Sequence, residues 1–137
     1  MKGQITYVDE GIAGFLNSFY TISDTPGNHE TYASQFTKDA VFVMAGKRNT
    51  GYDEILTMRK SMWNVVVARD HTVFQVYPST ADPKEFMLEG SVEYELKDGS
   101  KQKVDWAGHA KVVKSEGGQW QFGQYEVYLA GGPVAAK

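Results

Sequence analysis

Apolar positions recur at helical spacing near the start of the chain. Ile12, Phe15, Leu16, Phe19 and Tyr20 follow Asp9, a residue type that caps helix N-termini. The spacing predicts an amphipathic helix over 9–22 whose apolar stripe must lie on another element. The string SDTPGN (23–28) is dense in turn formers, and a second short helix is expected after it with Tyr32, Ala33 and Phe36 inward. The run AVFVMA (40–45) reads as a short buried strand ended at Gly46. Thr50 is then placed to cap a third helix, with Asp53 three residues on, that carries Ile55, Leu56, Met62 and Trp63.

From Val67 the period falls to two. Strands are expected at about 67–77, 86–96, 102–114 and 119–129, separated by residues 78–83, by Asp98-Gly99 and by the Glu116-Gly-Gly turn. Such short loops imply antiparallel neighbours. Helices first and strands last is an α+β layout, with helices covering one face of the sheet. A single domain over 1–130 is expected, followed by a flexible tail over 131–137.

Composition narrows the function classes. The formal charge is −3 and no run of Lys or Arg gathers as phosphate neutralisation requires, so nucleic acid is not an expected partner. With no cysteine, disulfides and thiolate catalysis are excluded. The longest apolar run is far short of the roughly 20 residues needed to cross a bilayer, which predicts no membrane partner and a soluble, cytoplasmic protein. No H-x-x-H or H-x-H spacing, phosphate loop or dinucleotide fingerprint occurs, so neither a metal nor a cofactor is expected.

The chemistry that remains is acid–base. The strand VDWAGHAKVV (104–113) splits into Val104, Trp106, Gly108, Ala110, Val112 and into Asp105, Ala107, His109, Lys111, Val113. On a sheet with one buried face the apolar first set points inward, leaving Asp105 and His109 in water. If the second set instead lines a pocket, Trp106 belongs to a contact with a second copy of the chain. The same ambiguity runs through 67–77, where Arg69, His71 and Val73 alternate with Ala68, Asp70 and Thr72.

His71 and His109 are the candidate proton carriers, because imidazole titrates near neutrality and a carboxylate at Asp24 or Asp105 can fix its tautomer. Asp24 precedes a Pro-Gly turn, where capping is the alternative role. His29 reads as structural. Tyr20, Met62, Trp63, Tyr94 and Tyr125 are candidate pocket walls or core, and Glu126 is either an edge charge or a pocket acid.

The element order, together with FYTISDTPGNHETYASQF, VVVARDHTVFQVY and VDWAGHAKVVKSEGGQWQF, resembles the nuclear-transport-factor-2-like superfamily, most closely its SnoaL-like branch. The resemblance implies a curved, mainly antiparallel sheet wrapped around the first helix, with a conical pocket between them, commonly in a homodimer. It also implies the cofactor-free acid–base chemistry of scytalone-dehydratase-like, ketosteroid-isomerase-like and polyketide-cyclase-like enzymes. Beside the dehydratase-like pattern, His71 falls on the catalytic histidine, His109 near a pocket-facing asparagine and Asp24 near an aspartate. Two tyrosines of that pattern fall at Ser23 and Met44, and a further histidine has no counterpart between Met87 and Leu96. The expectation is an isomerase, cyclase or dehydratase acting on a small apolar oxygenated molecule such as a polyketide or terpenoid. The alternative is a ligand-binding or dimerisation module without chemistry, which requires both histidines outside the pocket.

Overall fold

The structure, a computed structural model, describes residues 8–133. Helix α1 (Glu10–Asp24) opens at Asp9, whose carboxylate accepts from the backbone N–H groups of Gly11 at 2.8 Å and Ile12 at 3.3 Å. Such a cap is worth about 1 kcal/mol. The stripe Ile12, Phe15, Leu16, Phe19, Tyr20 is buried as its spacing predicts, and Ser23 extends it by one turn. Helix α2 (His29–Ala33) is brief, so Phe36 begins a strand and does not lie on the helix as expected.

That strand, β1 (Phe36–Met44), starts earlier than its apolar run because Phe36 pairs with the last strand while Thr37 to Asp39 lie exposed or half-exposed. It turns through Ala45 (φ 50°) and Gly46 (φ 86°) into β2 (Lys47–Thr50), a short edge strand that the polar sequence KRNT does not announce. Helix α3 (Gly51–Ser61) is capped in the reverse sense to expectation. The Thr50 side chain makes no cap bond, and its backbone N–H donates to Glu54 Oε1 at 2.8 Å.

Strands β3 (Val66–Pro78), β4 (Glu85–Leu96), β5 (Lys101–Lys114) and β6 (Trp120–Leu129) form the expected antiparallel run. The sheet order is β2-β1-β6-β5-β4-β3, so the last strand lies in the middle and joins β1 in parallel. The result is α+β: a curved, mostly antiparallel six-stranded sheet with the three helices on its concave side. Two aromatic stacks seal the seam, Phe122 on Tyr125 at 4.5 Å and Phe42 on Tyr125 at 5.7 Å between centroids. Of the expected tail, Gly131 and Gly132 bend with positive φ, Gly132 passes close to Val104, and residues 134–137 lie outside the described part.

Candidate active site

Asp24 ends α1, and Arg59 of α3 fixes where it stands. The Arg59 guanidinium is fully buried and donates to the carbonyls of Ser23 (2.8 Å), Thr25 (2.9 Å) and Gly27 (3.0 Å), gripping the backbone on both sides of Asp24. It also donates to His29 Nδ1 at 3.2 Å, so His29 is structural. The Ser23 and Thr25 carbonyls belong to the end of α1, where a helix leaves such groups without partners, and Arg59 satisfies them. Burial lowers its pKa to about 10, which still leaves it charged at neutrality.

Held this way, the Asp24 carboxylate meets β3 with both oxygens. Oδ1 lies 2.5 Å from His71 Nδ1, and Oδ2 accepts the His71 backbone N–H at 3.0 Å. The two side chains are only 14% and 12% exposed. Burial depresses the His71 pKa, and its bond to Asp24 offsets that only in part, so the ring is neutral at pH 7. Burial pushes Asp24 up, but hydrogen bonds from the His71 ring and backbone outweigh it, and its pKa falls below the ordinary carboxylate value. An ionised acceptor beside a neutral imidazole puts the proton on Nδ1 and leaves Nε2 as the ring's base.

His71 forms part of the wall of a narrow cavity of about 20 Å³, room for about one water. Its ring lies 5.2 Å from that of Tyr20 and 5.8 Å, edge-on, from Trp106. Tyr20 and Tyr125 face the same space with their hydroxyl oxygens 2.8 Å apart. Burial raises both phenol pKa values, so both stay protonated. In such a pair one hydroxyl donates to the other, and the acceptor keeps its own proton for a third group. Ser23 and Met44, which stand where the dehydratase-like pattern has tyrosines, also line the cavity, as do Met62 and Tyr94.

Other expected site residues stand elsewhere. β5 takes the apolar facing: Trp106 and Ala110 are buried against the helices, and His109 points to the convex face, where Nε2 meets Glu85 at 2.7 Å. Gly108 makes this facing possible, because a Cβ there would stand 3.1 Å from both Leu88 and Tyr125. Asp105 shares the convex face and is exposed, and Glu126 lies beside His109 in register. The facing that puts His109 and Asp105 in the pocket and Trp106 in a subunit contact is therefore corrected. Trp63 stands outside the cavity wall and lies under Arg59 at 5.0 Å and Arg69 at 4.6 Å.

Two cavity residues with nitrogen donors are not singled out by the sequence. Trp106 looked like core, and Arg69 was one of two alternating sets. The available signal for Arg69 is a lone cation inside VVVARDHTV, two residues before the histidine. Among the described residues, no three His, Cys, Asp or Glu side chains are placed to hold a metal ion, and no helix is long and apolar enough to cross a membrane.

No protein-family model matches the sequence, and no curated protein matches it. Solved structures do match in shape. Nuclear transport factor 2 from Cryptosporidium parvum is 14% identical with a TM-score of 0.73, over 94% of this chain and 99% of that one. ActVI-ORFA from Streptomyces coelicolor is 14% identical with a TM-score of 0.72, over 88% and 95%. A hexachlorocyclohexane dehydrochlorinase, LinA type 2, is 13% identical with a TM-score of 0.72, over 88% and 84%. The chain has the nuclear-transport-factor-2-like fold.

Proposed function

We propose that this protein is a cofactor-free acid–base enzyme of the isomerase, cyclase or dehydratase type, acting on a small, mostly apolar oxygenated molecule. The observation that carries the reading is the Asp24–His71 pair in the wall of an aromatic cavity. A neutral imidazole whose Nδ1–H is held by a buried carboxylate is oriented to take a proton at Nε2. A carbon acid beside a carbonyl loses its proton to Nε2 while negative charge moves to the carbonyl oxygen. The Tyr20–Tyr125 hydroxyl pair supplies the donor for that oxygen, in the place expected of a second imidazole. Returning the proton to another carbon is an isomerisation, and delivering it to a departing hydroxyl is a dehydration.

The lining suits a small, mostly apolar oxygenated substrate, since sites of this kind set a few polar groups in an apolar and aromatic wall. Polyketides and terpenoids are the chemical classes of that description. A non-catalytic module finds less support, because it has no use for a carboxylate that fixes the tautomer of a cavity histidine. The shape neighbours include ActVI-ORFA and a dehydrochlorinase by name, which is consistent with enzymatic use of the fold.

Proton exchange tests the class without knowledge of the natural substrate. A panel of small cyclic ketones and cyclic keto acids is incubated in deuterated buffer, and loss of the α-proton signal is followed by NMR. Wild type accelerates exchange of at least one member and His71→Gln loses the acceleration by about 10²–10⁴-fold. Equal exchange by both proteins removes the acid–base reading.

A further inference from the structure

Two arginines are buried in this chain, and they are satisfied very differently. Arg59 spends its N–H groups on four carbonyls and a histidine nitrogen. Arg69 is 7% exposed and makes one hydrogen bond, from Nη2 to the Met62 carbonyl. Its Nε–H is buried with no partner, and among the described residues no Asp or Glu pairs with it. A guanidinium has five N–H donors and cannot shed its charge to escape burial. The Asp24 charge favours the guanidinium through space, but no acceptor meets the buried Nε–H, and a buried donor left so calls for an acceptor from outside.

The surroundings of Arg69 bear on where such an acceptor would sit. Arg69 lines the same cavity as His71 and stands two residues before it on β3. Its guanidinium is stacked over Trp63 at 4.6 Å and over Tyr94 at 5.4 Å, which fixes its plane. Trp106, 5% exposed and also in the cavity wall, carries a second buried N–H without a partner. Two unmet donors in one aromatic cavity call for an acceptor that the described residues do not provide.

We propose that the cavity binds small carboxylates, with Arg69 taking the carboxylate through its planar fork and Trp106 Nε1 giving a further hydrogen bond. The inference rests on the acid–base reading for its use, since it names the substrate of His71 as a cyclic acid rather than a neutral ketone. A planar guanidinium matches two carboxylate oxygens at once, which a hydroxyl or single carbonyl oxygen does not exploit. The cavity as it stands has room for about one water, so the acid enters as the flexible Met44 and Met62 side chains of the wall move aside, and it then spans from Arg69 toward the imidazole.

Calorimetry on the folded full chain tests this with matched probes: benzoate against benzamide, and cyclohexanecarboxylate against its amide. Wild type binds each acid at least about tenfold more tightly than its amide, the scale of a hydrogen bond to a charged group. Arg69→Met loses the preference and Arg69→Lys, which keeps the charge but not the fork, retains part of it. Circular dichroism and melting confirm that the variants fold; if Arg69→Met does not, the wild-type comparison and Arg69→Lys still decide. Equal binding of acid and amide, a preference that survives Arg69→Met, or no acid binding at millimolar concentration overturns the proposal. Binding does not need turnover, so the two readings fail separately. An acid preference without proton exchange sinks only the acid–base reading, and exchange of neutral ketones without acid binding sinks only this one.

Discussion

Asp24 holds His71 by two bonds of different kinds, one to the imidazole Nδ1 at 2.5 Å and one to the His71 backbone N–H at 3.0 Å, across a separation of 47 residues. The carboxylate therefore orients the ring and also pins β3 to the end of α1. Replacing it affects chemistry and docking at once, and the two effects differ in size.

Asp24→Asn keeps the shape of the side chain but allows the amide to present its N–H to Nδ1, which favours the tautomer with the proton on Nε2. Turnover of any substrate found by the exchange assay falls by about 10²–10⁴-fold, comparable with loss of the base itself. The melting temperature falls by only a few degrees, because the backbone bond is retained in neutral form. A variant that melts much earlier but turns over normally shows Asp24 to be a cap alone.

The pH dependence follows from burial. Neutral His71 is the active form and its pKa lies below 6.5, so activity is flat through neutrality and falls as pH drops through a midpoint below 6.5. The Tyr20 and Tyr125 phenols are both raised, so no alkaline loss occurs before about pH 10. Stability moves the same way at acid pH. The unfolded chain takes a proton on this histidine near 6.5 while the native chain resists it, so stability is full above 6.5 and declines as pH falls toward the native pKa. Urea titrations on both sides of pH 6.5, with His71→Gln as the reference that lacks the effect, measure it.

His109→Gln leaves the exchange rate within about twofold of wild type, because the imidazole lies on the convex face with Glu85. The stability change is below about 1 kcal/mol, as for other partly exposed pairs. A large loss of turnover places a working group on the wrong side of the sheet.

Gly90→Ala damages the fold. A Cβ there would stand 1.9 Å from the Thr72 carbonyl oxygen and 3.1 Å from the Trp106 ring, next to the bulge between Val73 and Gln75. Backbone cannot yield as a side chain does, so a loss of about 3 kcal/mol or more is expected, read as a lower denaturation midpoint. Gly99→Ala, with open space around it but a φ of 85°, costs only about 1 kcal/mol from its left-handed backbone.

How much of this was legible depended on whether alternation survived. On β5 it did, and the apolar set Val104, Trp106, Ala110, Val112 faces inward as the pattern says. On β3 it holds from Arg69 through His71 to Val73 and breaks at the register shift between Val73 and Gln75, after which Val76 is buried. Alternation therefore groups Arg69 with His71, but each of the two sets mixes polar and apolar residues, so the pattern does not say which one faces the helices. Asp24 and His71 were reached through family resemblance, since 47 residues of intervening chain carry no local signal of their meeting. The parallel pairing of β1 with β6 was equally invisible, because hydrophobic pattern does not encode which strand a neighbour will be.

That central place of β6 bears on synthesis. Phe15, Phe19, Phe36 and Phe42 of the first half pack on Phe122 or Tyr125, which leave the ribosome after every other strand of the sheet. Until then β2-β1 and β5-β4-β3 are two separate pieces with unpaired edges along the line where β6 will enter. The chain is thus committed to folding late and all at once, slowly for its size, with a nascent form that offers its edges to any other strand nearby.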